Sequence, residues 1–208
     1  NKLGEMIKVG RRGSLTGHLT FYGKEGHVAY PENADNPITQ LINTLKVLNE
    51  KKLDDGNSFF QPSNLEITTI DVNNNVTNMI PQSASASFNI RFNDEHNSES
   101  LTKWIKEVCE ATAKNHKLDI IVSGESFFSE PGKLSNIIVK SINDELGVEP
   151  ILSTNGGTSD GRFIKDFSNV AEFGLIGKTM HKFNENISIN DIRSLSIIYF
   201  NIIEKYFD

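Results

Sequence analysis

The strict two-residue alternation between Ser83 and Phe92 is the feature that most constrains the fold of this chain. Five apolar side chains fall on one face of the segment and five polar ones, including Arg91, on the other. Successive side chains of an extended chain point to opposite faces, so this period predicts a strand with one buried face. Ser14 to Tyr22 alternates in the same way. Both segments are therefore predicted to be strands that cover a core on one side.

Helical spacing appears between and after these two strands. Apolar residues from Ile38 to Leu48 predict a helix over about 36–50, and those from Leu101 to Thr112 predict a second one. Two further strands are predicted at Leu65–Val72 and Leu118–Val122. The order strand, helix, strand, strand, helix, strand over residues 13–124 is the split βαβ, ferredoxin-like pattern and predicts one compact α+β domain.

A different pattern follows after Gly124. Pro131 fits the first position of a helix and Gly147 the position after its end. Short strands are predicted at Ile151–Leu152 and Val170–Phe173. Asn190 is predicted to cap a last helix whose buried face contains four residues, Ile192, Leu195, Tyr199 and Ile202. This alternation indicates a piece of an α/β layer that needs a partner segment to cover its apolar surface.

Charge and composition exclude several classes of protein. The 208 residues carry a net charge of −6, which argues against nucleic-acid and anionic-membrane partners. The apolar runs are too short for a transmembrane helix. The single cysteine, Cys109, excludes an internal disulfide framework, is expected to lie in the core and is compatible with a reducing compartment. The chain starts at Asn1 without an initiator Met or a signal sequence, so we expect it to be cut from a longer protein.

Four places in the sequence offer chemistry, each with an ordinary structural alternative. His27 follows a glycine in a loop, where an imidazole can move protons or donate hydrogen bonds, or simply be an exposed turn residue. The loop Asn155–Gly161 offers backbone N–H groups and hydroxyls to an anion, or forms a tight turn. Arg91 can grip a carboxylate or lie on a solvated sheet face, and Arg11 and Arg12 offer the same choice.

His181 lies in a loop before the last helix, with Glu185 close in sequence. An imidazole beside a carboxylate is typical of a metal ligand with an orienting partner. One histidine does not make a metal site, however, because catalytic zinc needs about three protein ligands. No other ligand is spaced near it in the sequence.

Seven motifs in register across nearly the whole chain resemble the succinyl-diaminopimelate desuccinylases of the M20 metallopeptidase family. The stretch around Thr158 favours desuccinylases over related deacetylases and carboxypeptidases. The motifs are Gly10–Leu15, Gly26–Pro31, Ala34–Pro37, Asn78–Pro81, Phe88–Phe92, Gly156–Phe163 and Met180–Glu185.

The resemblance implies a cytoplasmic homodimeric amidohydrolase of lysine and diaminopimelate biosynthesis. Such enzymes hold two zinc ions, or cobalt, and cleave N-succinyl-LL-2,6-diaminopimelate to succinate and LL-diaminopimelate. His181 would be a zinc ligand, and His27 would stabilise the oxyanion in the active site of the partner subunit. The substrate, a dicarboxylic N-succinyl amino acid, would be bound by six residues, Arg11, Asn78, Arg91, Gly157, Thr158 and Ser159.

The resemblance also divides the chain. Residues 1–12 would end one segment of the catalytic domain, 13–124 would form a lid or dimerisation domain, and 125–208 would be the C-terminal part of an α/β, zinc-peptidase-like catalytic domain. Most metal ligands of the family, and its glutamate general base, have no counterpart here, so the chain alone is expected to be inactive. Two alternatives stay open: a non-catalytic dimerisation module, and a related deacylase such as acetylornithine deacetylase.

Overall fold

The computed structural model describes residues 2–113 and 115–208. They divide into two compact units. The first, which we call the sheet unit, is Arg12–Ser126. The second, the terminal unit, consists of the residues up to Arg11 together with Phe127–Asp208.

A four-stranded antiparallel sheet forms the centre of the sheet unit. Its strands lie in the order β5 (Asn64–Asp71), β7 (Ser83–Phe92), β3 (Gly13–Tyr22) and β8 (His116–Gly124). Helices α1 and α2 pack on one face of this sheet, and α1 also packs on α2. The ferredoxin-like split βαβ prediction is thereby confirmed. The elements are β3 (Gly13–Tyr22), α1 (Pro37–Glu50), β5 (Asn64–Asp71), β7 (Ser83–Phe92), α2 (Ser98–Thr112) and β8 (His116–Gly124).

The core of the sheet unit lies between the helices and the apolar face of β3 and β7. Burial along β7 alternates at every residue, as the sequence period predicts. Phe21, Phe88 and Phe92 are fully buried there, and Cys109 lies among them as predicted. Burial raises the pKa of the Cys109 thiol to about 11, so this sulfur stays protonated and unreactive near neutral pH.

Side-chain caps fix where the two helices of the sheet unit begin. The Asn36 side chain accepts the Ile38 N–H at the start of α1, and Pro37 occupies the first turn. Asn97 and Ser100 form a reciprocal capping box at the start of α2. Ile42 is one of the apolar residues at helical spacing in α1 but is 56% exposed, whereas Thr44 is buried and shares a hydrogen bond with Thr112.

A short hairpin-like pairing extends from this unit. Strand β4 (Gly26–His27) pairs antiparallel with β6 (Met79–Ile80), and a 3-10 helix follows at Pro31–Asn33. His27 therefore lies in a two-residue strand rather than in an open loop.

The terminal unit is built from smaller pieces. Strand β1 (Met6–Lys8) pairs parallel with β10 (Ile151–Ser153), and β2 (Gly10–Arg11) pairs antiparallel with β9 (Phe127–Phe128). Helices α3 (Lys133–Leu146) and α5 (Ile189–Phe207) pack on each other, and α4 is the single turn Gly161–Ile164. The core cluster consists of five residues, Ile7, Val9, Ile138, Ile142 and Ile198.

Several details of the terminal unit differ from the sequence predictions. Helix α3 begins at Lys133, with Gly132 as its N-cap, so Pro131 lies before the helix rather than at its first position. At the other end, Gly147 follows the helix in the left-handed conformation, as expected. Helix α5 is preceded by Ser188 rather than capped by Asn190.

The prediction of a strand at Val170–Phe173 is wrong. The segment is reduced to one bridge, in which Glu172 and Lys8 exchange two backbone hydrogen bonds. The predicted buried face of α5 is partly wrong: Ile198 is its fully buried residue, whereas Ile192 and Tyr199 are 44% and 45% exposed. No helix in the described ranges is long and apolar enough to cross a membrane.

Candidate functional site

Arg11 and the glycine-rich loop come together in the terminal unit. The Arg11 Nε donates to Glu172 Oε2 at 2.6 Å, and its Nη2 also contacts this oxygen. Its Nη1 donates to the carbonyl oxygen of Asn155 at 3.4 Å. A guanidinium has five N–H groups, so the three that are engaged here leave two for a ligand.

Gly156 is needed where Arg11 meets the loop. Its φ of +104° is a conformation that side-chain-bearing residues rarely adopt. A Cβ at this position would also lie 2.6 Å from the Arg11 Nη1. Glycine therefore lets the loop approach the guanidinium closely.

The three loop residues predicted to bind substrate follow directly. Gly157 is exposed, while Thr158 and Ser159 are half-buried. The Ser159 Oγ is buried and, within residues 2–113 and 115–208, has no hydrogen-bond partner. A hydroxyl without a partner can donate a hydrogen bond to an anion at little cost.

A cavity of about 570 Å³ adjoins Arg11 in the same unit. Lys8, Arg11 and Glu172 contribute charged groups to its wall. Burial, together with the nearby Arg11 charge, lowers the pKa of Lys8 to about 8, although Glu172 opposes this shift. Three cationic residues, Lys2, Lys8 and Arg11, line the cavity, and among the described residues only Arg11 forms an ion pair with a carboxylate.

Glu172 is the residue of this site that the sequence predictions missed. It is 161 positions from Arg11 along the chain, and the only local signal is one acidic residue inside an apolar segment. Its role becomes visible only when the bridge to Lys8 places it beside the Arg11 guanidinium.

His181 lies in an exposed turn of the terminal unit. Its backbone has a φ of +62°, which is uncommon for a residue other than glycine. The segment that contains it is closed by Thr179, whose hydroxyl accepts from the Asn186 N–H and donates to the Asn186 carbonyl. In the described ranges no hydrogen bond or ion pair joins the His181 ring to Glu185, so the expected orienting contact is not formed.

The described residues do not by themselves form the dinuclear metal centre that the resemblance implies for a longer enzyme. Among residues 2–113 and 115–208, no group of three or more His, Cys, Asp or Glu side chains lies close enough together to hold a metal ion. His181 is at most one ligand of such a centre, and zinc sites in enzymes need about three.

His27 and Asn78 are brought together in the sheet unit. Strands β4 and β6 place His27 opposite Met79, and the Val28 N–H donates to the Asn78 carbonyl at 3.1 Å. The His27 Nδ1 accepts the Ala29 N–H at 3.1 Å. This bond makes Nδ1 the acceptor, so that in the neutral ring the proton is on Nε2, which can donate to a ligand or to solvent.

Arg91 belongs to the large sheet rather than to this hairpin. It is the penultimate residue of β7, opposite Ser14 on one side and Asn64 on the other. It lies on the polar face, as predicted, and is half-buried. The structure thus places the predicted residues at four positions: Arg11 with the glycine-rich loop, His27 with Asn78, Arg91 in the sheet, and His181 in an exposed turn.

Comparisons with known proteins show what the chain is similar to. Residues 9–117 match the peptidase dimerisation domain of the M20 type. The chain is 50% identical over 210 residues to a succinyl-diaminopimelate desuccinylase of Parvibaculum lavamentivorans, covering 99% of this chain and 53% of that protein. It is 48% identical over 207 residues to one of Wolbachia pipientis wMel, covering 100% and 52%. The chain therefore spans about half the length of these curated relatives.

Solved structures share the fold at low sequence identity. The aminopeptidase PepT of Bacillus cereus superposes with a TM-score of 0.82 at 20% identity, over all of this chain and 55% of that one. An M20 family metallo-carboxypeptidase of Sulfolobus solfataricus gives a TM-score of 0.81 at 14% identity, over 99% and 62%.

Proposed function

The chain belongs to the M20 peptidase dimerisation family, and from this premise we propose that it is part of a homodimeric amidohydrolase of lysine and diaminopimelate biosynthesis. The proposed reaction adds water to the succinyl carbonyl of N-succinyl-LL-2,6-diaminopimelate and breaks the C–N bond, which yields succinate and LL-diaminopimelate. The identity of about 50% with desuccinylases, maintained over the whole chain, is the observation that carries this proposal.

The glycine-rich loop and Arg11 are proposed to hold one substrate carboxylate. Two N–H groups of Arg11 remain available, and the Ser159 hydroxyl has no partner among the described residues. Glu172 keeps the guanidinium fixed, so little side-chain entropy is lost on binding. Gly157 and Thr158 would add backbone N–H and hydroxyl donors.

His27 is proposed to stabilise the oxyanion that forms when water attacks the carbonyl. The hydrogen bond from Ala29 fixes the neutral tautomer that carries its proton on Nε2. A positioned N–H donor aimed at a developing negative charge lowers the barrier by a few kcal/mol. Asn78, which lies beside it, is proposed to contact the substrate, and we keep the prediction that His27 serves the active site of the partner subunit.

Most ligands for zinc, or cobalt, are proposed to lie outside the described residues. Because His181 alone does not make a dinuclear site, we propose that the 208-residue chain by itself binds no zinc stably and is inactive. We also propose a cytoplasmic location for the complete enzyme.

The test compares the 208-residue chain with a longer protein that contains it. With zinc added, we expect the longer protein to hydrolyse N-succinyl-LL-diaminopimelate and the 208-residue chain to show no turnover. Faster hydrolysis of N-acetylornithine would favour the deacetylase alternative. Absence of turnover in both proteins, with a dimer retained, would favour a non-catalytic dimerisation module.

We further propose that the sheet unit dimerises through β5 and α1. These two elements pack on each other, and α1 exposes Ile42 and Val47 while β5 exposes Ile70 at an unpaired sheet edge. At the other edge, β8 carries the ion pair Lys117–Asp119. Charged side chains on an edge strand oppose pairing, and β5 carries Glu66 and Asp71 as well. The exposed apolar side chains of α1 beside β5 are therefore what favours this edge.

Light scattering after size-exclusion chromatography tests this interface. We expect Ile42→Glu to convert a dimer of the 208-residue chain into a monomer, because it places a charge in an apolar contact. Ile121→Glu on β8 is a matched control, since both isoleucines are 56% exposed. Dissociation by Ile121→Glu alone would place the interface at the opposite edge.

A further inference from the structure

Asn155 and Gly156 form the only Asn-Gly pair in the 208 residues. They lie in the glycine-rich loop of the terminal unit, between β10 and α4. At such a pair the backbone nitrogen that follows the asparagine can attack its side-chain amide, because glycine has no side chain that would hinder the approach. Asn155 is half-buried, whereas Gly156 and Gly157 are exposed, so water reaches the loop.

Neither reacting group is held by a hydrogen bond in the described part of the chain. The Gly156 N–H has no acceptor there, and the Asn155 side chain has no hydrogen-bond partner there. The backbone before them is fixed, because the Asn155 N–H donates to the Ser153 Oγ at 3.2 Å. The loop therefore positions the pair without protecting it.

Arg11 contacts the peptide group that contains the attacking nitrogen. Its Nη1 donates to the Asn155 carbonyl oxygen at 3.4 Å, and this oxygen shares a peptide group with the Gly156 nitrogen. When that nitrogen loses its proton, resonance spreads the negative charge over both atoms. A nearby guanidinium stabilises this charge and so makes the nitrogen a better nucleophile.

We propose that Asn155 is a self-modification site, at which the loop converts this asparagine to aspartate or isoaspartate. The Gly156 nitrogen gives up its proton and attacks the Asn155 Cγ, the Cγ–Nδ2 bond breaks, and ammonia leaves with that proton. The product is a cyclic imide. Water then adds to one of the two imide carbonyls and the C–N bond at that carbonyl breaks, so that asparagine and water become a carboxylate and ammonia.

The isoaspartate product would have its new carboxylate at Arg11. It forms when water adds to the main-chain carbonyl of Asn155, whose oxygen already accepts the Arg11 hydrogen bond. A cationic donor polarises this carbonyl, so we expect isoaspartate to be the main product. The new carboxylate would then pair with Arg11. That this pairing blocks substrate rests on the proposed function, whereas the modification does not.

Asn97 and Ser98 are an internal comparison within the same chain. The Asn97 Oδ1 accepts the Ser100 N–H at 2.8 Å, and the Ser98 N–H donates to the Glu125 Oε2 at 3.1 Å. Both reacting groups are thus engaged at the start of α2. The corresponding reaction there requires local unfolding of that helix end.

Incubation of the 208-residue chain in mildly alkaline buffer, with and without concentrated urea, tests the site. Peptide mass spectrometry measures conversion at Asn155 and Asn97, and an isoaspartyl methyltransferase assay identifies isoaspartate. We expect Asn155 to react at least as fast in the folded chain as in urea, whereas folding should slow Asn97 by about tenfold or more. Arg11→Gln should slow the reaction of Asn155 severalfold in buffer and leave it unchanged in urea.

Two results would overturn the proposal: folding that protects Asn155 as strongly as Asn97, or an unchanged rate for Arg11→Gln in buffer. If circular dichroism shows that Arg11→Gln is unfolded, Arg11→Lys carries the test, with the same slower rate expected because the fork is lost. In a longer protein, conversion of Asn155 should raise the KM for N-succinyl-LL-diaminopimelate, and an unchanged KM would refute the block. A longer protein that is inactive before any conversion would count against the proposed function alone, since the modification is read by mass.

Discussion

At the residue scale, the Asp54 carboxylate organises the segment that joins α1 to β5. Its side chain is 2% exposed and accepts hydrogen bonds from the Gly56 N–H, the Ser63 N–H and the Asn93 amide. Burial raises the pKa of Asp54, but these hydrogen bonds lower it by more, so that it lies below its usual value. Folding therefore favours the charged form.

Asp54→Asn should lower the free energy of unfolding at pH 7 by about 1–3 kcal/mol, because an amide offers one acceptor where two oxygens are used. The contribution of Asp54 is complete above its unfolded pKa of about 4 and is lost as the pH falls through the lower folded value. Urea unfolding at pH 7 and pH 3 should show a smaller difference from the unchanged chain in acid. Asp55→Asn, at an exposed neighbour, should change little, and an equal effect of both variants would contradict the assignment.

Glu172 controls the charge of Lys8 as well as the position of Arg11. Because Glu172 opposes the effects of burial and of Arg11, Glu172→Gln should move the pKa of Lys8 below its present value of about 8. The rate at which acetic anhydride acetylates Lys8, followed against pH by mass spectrometry, measures this directly. Glu149→Gln, on an exposed residue of the same unit, is the control, and an unchanged Lys8 profile in Glu172→Gln would refute the coupling.

At the element scale, the central sheet depends on a glycine facing an aromatic ring. Gly17 on β3 pairs directly with Phe88 on β7, and a Cβ on Gly17 would lie 2.2 Å from the Phe88 ring. Gly13 and Phe92 repeat this arrangement four residues away. The rings lie across the glycines, so both phenylalanines fit beneath the helices.

Gly17→Ala should therefore destabilise the sheet unit by about 1–3 kcal/mol, because a fully buried ring has to move. Thr20→Ala, on the polar face of the same strand, should cost much less. Thermal unfolding of the two variants compares them. A stable Gly17→Ala variant would show that the ring of Phe88 has room to shift.

Local patterns predicted the elements of the sheet unit well. In β7, for example, the two-residue period of the sequence matches the alternation of buried and half-buried residues at every position. They failed where distant contacts decide the outcome. Glu172 lies in no regular strand, and its position is set by its backbone bridge to Lys8 and its side-chain contact with Arg11. The fully buried residue of α5 is Ile198, which the helical spacing did not single out, although the predicted Ile202 one turn later packs against the same core. The position of Arg91 between Ser14 and Asn64 depends on strand register, which the sequence alone does not specify.

At the scale of the whole molecule, the two units differ in how much apolar surface they bury. Sixteen residues of the described chain form the core cluster of the sheet unit, and five form that of the terminal unit. The terminal unit also leaves large side chains exposed, among them Phe163 at 64% and Phe167 at 89%. Buried apolar area is the main source of stability, so the terminal unit should be the less stable of the two.

We therefore expect the chain to unfold in two steps, with the terminal unit unfolding first. Ile142 on α3 and Ile105 on α2 are both fully buried, so the same truncation can be made in each core. Ile142→Ala should lower only the first transition and Ile105→Ala only the second, each by about 2–5 kcal/mol. Hydrogen exchange should agree, with amides of β1 and β10 exchanging faster than those of β3 and β7. A single transition that both variants shift equally would mean that the two units fold as one cooperative body, and their different cores would then not set the order of unfolding.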